Sequence, residues 1–210
     1  MRLALAVAAW ALLSQFPQGR LYRLEREDSP VVALRAEGTL QAPAWAVRDV
    51  LRRAFESERL SPYLAFRKVL HAEGCEAGAK DLPGCRKVWV YERYAPPLMG
   101  ARDYAFRMDV VVDDVESGGD FELRWTIDES RGAPPEGATH MVRNTGGWVI
   151  SPAGRGESRF RYHIDIDPGG SVPSWIVNAA NRSQVPSVIA AVEDEAQKLA
   201  LKRARSADRQ

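Results

Sequence analysis

The residues able to do chemistry are few, and their spacing argues against most chemistries. His163, Asp165 and Asp167 recur at i, i+2, i+4 in "RYHIDIDP". On a strand these share one face, but their side chains are about 7 Å apart. One ion cannot bridge them without a ligand from another element, so no metal site is assigned. His71 and His140 have no motif around them. The chain has no nucleophile elbow, no P-loop and no dinucleotide-binding glycine pattern. No catalytic residue and no cofactor is therefore assigned. Cys75 and Cys85 bracket the Gly- and Pro-containing loop "GCEAGAKDLPGC". They are either a disulfide stapling a hairpin or two free thiols, and a CxxC redox or zinc motif is absent. The remaining candidates sit within strand-like runs. Arg107, Arg124 and Asn144 occupy mid-strand positions where an inward side chain could choose a polar headgroup. Trp89, Tyr91 and Trp125 could form an aromatic wall, suited to a choline-like cation.

The elements that would position them follow from hydrophobic periodicity. "GRLYRLERE" and "VVALRAEGTLQ" read as two strands. "APAWAVRDVLRRAFES" reads as an amphipathic helix with Trp45, Val47, Val50, Leu51 and Ala54 on one face. "SERLSPYL" reads as a short second helix. Six strand-length runs follow, rich in β-branched and aromatic residues and separated by Gly, Pro or Asp turns. In one, Phe121, Leu123, Trp125 and Ile127 alternate with Glu122, Arg124, Thr126 and Asp128. In the last, Phe160, Tyr162, Ile164 and Ile166 oppose Arg159, Arg161, His163 and Asp165. A long helix over about 172–203 closes the chain, and Pro186 is expected to kink or break it. The fold class is α+β: a curved antiparallel sheet wrapped around a long C-terminal helix. The space left between them can hold an apolar ligand.

Three ordered motifs resemble the START (StAR-related lipid transfer) domains, within the wider helix-grip, Bet v 1-like superfamily. "RYHIDIDPGGSVPSWIVNAAN" is similar to the family's last strand, Asp-Pro-Gly-Gly turn and lid helix. "PPLMGARDYAFRMDVV" is similar to its omega loop and the strand that opens with Arg-Asp-(Tyr/Phe). "TGGWVISPAGRGESRFRY" is similar to its Gly-x-Trp strand and following hairpin. The resemblance covers roughly 19–199. It implies a tunnel holding one lipid or sterol, gated by the omega loop and the C-terminal helix. The gate residues would be Pro97, Leu98 and Met99, with Pro96 beside them, facing Trp175, Ile176, Val177 and Ala180. Some sterol-carrying members have a buried Glu–Arg pair flanking the loop. The matching positions here fall near Trp89 and Met108, with Glu92 and Arg107 displaced, which weighs against a sterol.

The chain has 210 residues, 45% apolar and 27% charged, with a net charge of +1. That suits one globular domain and gives no basic excess for nucleic acid. The domain is expected over 19–203, with 204–210 a basic tail. Residues 1–18 are either a secretory signal peptide or an N-terminal helix packing Leu3, Val7, Trp10 and Leu13 on the domain. A signal and a disulfide would together place the protein in the periplasm or outside the cell; the alternative is cytoplasmic. The leading expectation is a monomeric, non-enzymatic lipid carrier with transient membrane contact. The alternatives are a polyketide cyclase or aromatase-like enzyme in the same pocket, needing an inward Arg107, Arg124, Tyr91 or His163, and a ligand-sensing module.

Overall fold

The computed structural model describes residues 9–53, 60, 63–76, 84–96, 100–133, 139–154 and 156–207. Three strands come first: β1 (Ala11–Phe16), β2 (Gly19–Leu24) and β3 (Ala33–Leu40). Helix α1 (Ala44–Arg52) follows. Six strands come next: β4 (Leu64–Glu73), β5 (Lys87–Tyr94), β6 (Arg102–Asp113), β7 (Phe121–Ile127), β8 (Arg143–Gly154) and β9 (Glu157–Asp167). Helix α2 (Ser174–Ala207) ends the described chain. Among the described residues the strands form one sheet of nine, in the order β1-β2-β3-β9-β8-β7-β6-β5-β4. Every neighbouring pair is antiparallel. The chain leaves β3, passes through α1 to the far edge at β4, and returns strand by strand until β9 pairs with β3. This is the helix-grip arrangement expected from the element order.

The N-terminal helix is corrected over Ala11–Phe16, which pairs with β2 as a strand. A turn at Pro17–Gln18 lets the segment fold back on β2, and the open sheet edge supplies its backbone partners. A Cβ on Gly19 would meet the Glu37 carbonyl oxygen at 2.1 Å, so this crossing of β2 and β3 requires glycine. Trp10 does not join an apolar helix face; it lies under the Arg35 guanidinium, 4.8 Å from its ring centroid. Leu3 and Val7 lie outside the described residues, as does most of the expected short helix at "SERLSPYL".

Helix α1 buries Ala44, Ala46, Val47, Val50 and Leu51. Trp45 is only partly buried, with the Arg203 guanidinium 4.5 Å above its ring. Helix α2 continues through Pro186, where a kink or a break was expected; it does not break. Val185 and Ile189, on either side of the proline, are each at most 1% exposed. Their burial holds both halves against the core and offsets the one hydrogen bond that Pro186 removes. The backbone of α2 approaches α1 and β3. Over β5 to β8 it stands off, and a cavity remains beneath it.

Candidate ligand cavity

The cavity between sheet and α2 has a volume of about 650 Å³. That is room for roughly twenty waters at liquid density, or a drug- to lipid-sized molecule. The period-2 alternation of the strands decides which residues reach it. Tyr104, Phe106 and Met108 of β6, Leu123 and Trp125 of β7, and Asn144 and Trp148 of β8 face it. Tyr162, Ile164 and Ile166 come from β9. Helix α2 supplies Ile176, Val177, Ala180, Gln184 and Val188 from above.

Of the expected polar and aromatic candidates, the cavity receives Trp125 and Asn144. The Trp125 indole Nε1 donates to Asn144 Oδ1 at 3.0 Å. Trp89, Tyr91, Arg107 and Arg124 lie on the opposite, convex face. On β5 the inward set is Glu92 and Tyr94, so Trp89 and Tyr91 point away. The Tyr91 hydroxyl donates to Asp103. Trp89 packs under the guanidinium groups of Arg107 and Arg131, at 5.8 and 5.4 Å. Arg107 donates to Asp109 and to Asp128, each at 2.9 Å. Those carboxylates raise its pKa further above the ordinary arginine value. Arg124 pairs with Glu122 and is largely exposed. His163 also faces outward, with burial and Arg124 lowering its pKa from the ordinary value.

Among the described residues, the charged ones that line the cavity are Arg67 and Glu92, opposite one another in the β4–β5 ladder. Arg67 Nε donates to Glu92 Oε1 at 2.6 Å, and the other carboxylate oxygen accepts from the Tyr104 hydroxyl. Burial first, and then the neighbouring carboxylate, hold the Tyr104 phenol well above its ordinary pKa. Glu92 pairs with Arg67, and Arg107, the basic residue noted near the family's ion-pair positions, pairs with Asp109 and Asp128 instead. The Arg67–Glu92 pair contributes no net charge to the cavity. The burial of Glu92 (5% exposed) was the missed feature. The signal that could have found it was Arg102-Asp103-Tyr104, since Tyr104 lies opposite Glu92 in the β5–β6 hairpin.

That Arg-Asp-Tyr run has three separate tasks. Arg102 is buried, and its Nε donates to the Pro168 carbonyl at 2.8 Å. It thereby fixes the turn that leads into α2. In that turn Gly169 and Gly170 have φ of 64° and 72°, a region glycine enters without steric cost. Asp103 accepts from Tyr91 and Arg93 on the convex face. Tyr104 enters the cavity.

Of the expected gate residues, Ile176, Val177 and Ala180 line the cavity from α2. Trp175 does not; it is 71% exposed. Pro97, Leu98 and Met99 lie outside the described residues, but the adjoining Pro96 lines the cavity. The first half of α2 is also tethered. Asn178 accepts from Val32 N at 3.0 Å and donates to Pro30 O at 3.1 Å, and Asn181 donates to Ile166 O at 3.2 Å. Cys75 and Cys85 form a disulfide across the β4–β5 connection. Among the described residues there is no cluster of three metal-ligating side chains, and no helix is long and apolar enough to cross a membrane.

A curved antiparallel sheet gripping one long helix over an apolar cavity defines the helix-grip class. The chain is 34% identical over 171 residues to an uncharacterized protein of Pseudomonas aeruginosa, covering 81% of this chain and 78% of that one. It is 27% identical over 190 residues to the phosphatidylcholine transfer protein of Bos taurus, covering 90% and 84%. A solved STAR-related lipid transfer protein from Xanthomonas axonopodis superposes with a TM-score of 0.70, at 22% identity over 90% of this chain and 98% of that one. The Zhui aromatase/cyclase of a Streptomyces species shares the fold at a TM-score of 0.52 and 13% identity, over 79% and 93%. No family model matches the chain. The fold is that of the START domains.

Proposed function

We propose that the protein binds one lipid-like molecule in this cavity and carries it. The observation that supports this most is the cavity itself: about 650 Å³, walled mainly by apolar side chains, beneath a helix. Each square ångström of apolar ligand surface withdrawn from water stabilises the complex by roughly 25 cal/mol, so an acyl chain would be held strongly. The self-compensating Arg67–Glu92 pair favours a cargo whose enclosed part has no net charge. The gate would lie between the first turns of α2 and the 96–101 segment. Trp175, solvent-facing on the first turn of α2, suits contact with a membrane surface, where an amphipathic indole is at home. The disulfide supports an oxidising compartment, periplasmic or extracellular.

Native mass spectrometry of protein purified from its own host tests this. A lipid-mass adduct that organic extraction removes is expected, as is transfer of that lipid between vesicles with a blue shift of Trp175 emission. Absence of any adduct, together with failure of the extracted protein to take up a lipid probe, would refute the carrier reading. A second reading, catalysis on a bound polyketide-like chain, would rest on Glu92 and Tyr104, since Tyr91, Arg107, Arg124 and His163 point away from the cavity. Turnover lost in Glu92→Gln with retained ligand binding would favour it.

A further inference from the structure

Two buried polar side chains open into the cavity with unspent donors. Tyr162 and Asn144 are each 8% exposed, and both line the cavity wall. The Tyr162 ring is fixed by stacking on Trp148 at 4.2 Å and by Trp125 at 6.2 Å. Among the described residues its hydroxyl has no hydrogen-bond partner. Asn144 has one, and the chemistry of that partner orients the amide. An indole N–H can only donate, so Asn144 must present its oxygen to Trp125 Nε1, which lies 3.0 Å away. The amide nitrogen, with two N–H groups, is then the end left without a partner among the described residues. Tyr104, on the same wall, is different: its hydroxyl is already given to Glu92.

An unmet donor in an apolar enclosure is costly, so such groups meet water or a ligand. Burial keeps the Tyr162 phenol protonated, its pKa raised far above the ordinary value. Both open groups therefore offer hydrogens and ask for an acceptor. Both contact one side chain: the Trp125 N–H donates to Asn144, and its ring lies 6.2 Å from the Tyr162 ring. Trp125 lies over Gly146, where a Cβ would meet the indole at 2.2 Å. The absence of a side chain at Gly146 is what lets the indole keep this place.

We propose that Tyr162 and Asn144, both in contact with Trp125 in the cavity wall, form a donor subsite for the uncharged carbonyl of an acyl ester or amide. This rests on the carrier reading and deepens it. The cargo is then an acyl lipid recognised at its ester or amide linkage, rather than a bare hydrocarbon held by apolar burial alone.

Two fluorescent probes separate the possibilities: diphenylhexatriene, a pure hydrocarbon, and parinaric acid methyl ester, a polyene of lipid length with one ester carbonyl. The proposal expects delipidated wild-type protein to bind both. Tyr162→Phe keeps the ring and its stacking and should weaken the ester about fivefold to tenfold, the effect of one uncharged hydrogen bond. It should leave diphenylhexatriene within about twofold on the same scale. Asn144→Leu should act in the same direction. With the ester carbonyl labelled by ¹³C, its infrared stretch should move to higher frequency in Tyr162→Phe as the donor is lost. Unchanged ester affinity and unchanged carbonyl stretch in Tyr162→Phe overturn the subsite and leave the carrier reading standing. Equal losses for both probes also overturn it, because they would report damaged packing. Failure of the wild type to bind either probe overturns both.

Discussion

Removing Arg67 alone from the Arg67–Glu92 pair should cost more than removing both members. The Arg67 and Glu92 side chains are 14% and 7% exposed, and their charged groups touch. With charge centres about 4 Å apart and an effective dielectric near 20, their attraction is about 4 kcal/mol. Much of that offsets the desolvation of two ions, so the pair's net contribution is small. The asymmetry appears when one partner is lost. Arg67→Met leaves the Glu92 carboxylate in the cavity wall with the Tyr104 hydroxyl and no cation there, at a cost of about 3 kcal/mol. Glu92→Leu removes the carboxylate that touches Arg67 and the acceptor of the Tyr104 hydroxyl, and should also be destabilising, by at least about 1 kcal/mol for the lost acceptor. The double variant Arg67→Met/Glu92→Leu replaces the pair with apolar side chains and should cost about 1 to 2 kcal/mol, chiefly through Tyr104. The expected coupling is therefore several kcal/mol. Urea unfolding of delipidated protein at neutral pH measures it, since bound cargo would add its own linkage to native-state stability. A double variant costing the sum of the single variants, within about 0.5 kcal/mol, would refute the reasoning.

Three further outcomes follow from the same geometry. The disulfide closes a loop of sequence separation 10; Cys75→Ser/Cys85→Ser should lower stability by about 3 kcal/mol on the chain-entropy account, readable as a lower urea midpoint. Met108→Trp should fill the cavity and abolish diphenylhexatriene binding, whereas Arg107→Gln, one residue away on the convex face, should leave it unchanged; equal effects would contradict the strand parity. Burial and Arg124 hold the His163 pKa below the ordinary 6.5. Below that pH the unfolded chain therefore takes up a proton that the folded one resists, and stability falls as pH drops through this region. His163→Gln should remove that part of the slope, and an NMR titration midpoint for His163 at or above 6.5 would contradict it.

What the sequence made legible depended on how cleanly each strand alternates. In β7 the apolar residues Phe121, Leu123 and Trp125 fall on one parity and Glu122 and Arg124 on the other, so Trp125 could be placed inward. In β5 the run Val88-Trp89-Val90-Tyr91 is apolar or aromatic on both parities, because both faces of that strand are covered: the inner by the cavity wall, the outer by Arg107, Arg131 and Asp103. Period-2 reasoning has nothing to grip there, and a one-residue error in parity moves every side chain to the other face. Aromatic residues drew the assignment inward at Trp89 and Tyr91, although the inward row carries a glutamate. Composition alone would leave Glu92 in solvent. Its burial depends on Arg67, 25 positions earlier on a neighbouring strand, and on Tyr104, 12 positions later. The N-terminal segment misled for a related reason. An apolar run can become a helix or a strand, and here the choice fell to a partner, since β2 offered an open edge. Local pattern therefore fixes which elements line a cavity of this kind. Which polar groups enter it depends on pairing register, and in β5 that register could have been read only from Arg102-Asp103-Tyr104 across the hairpin.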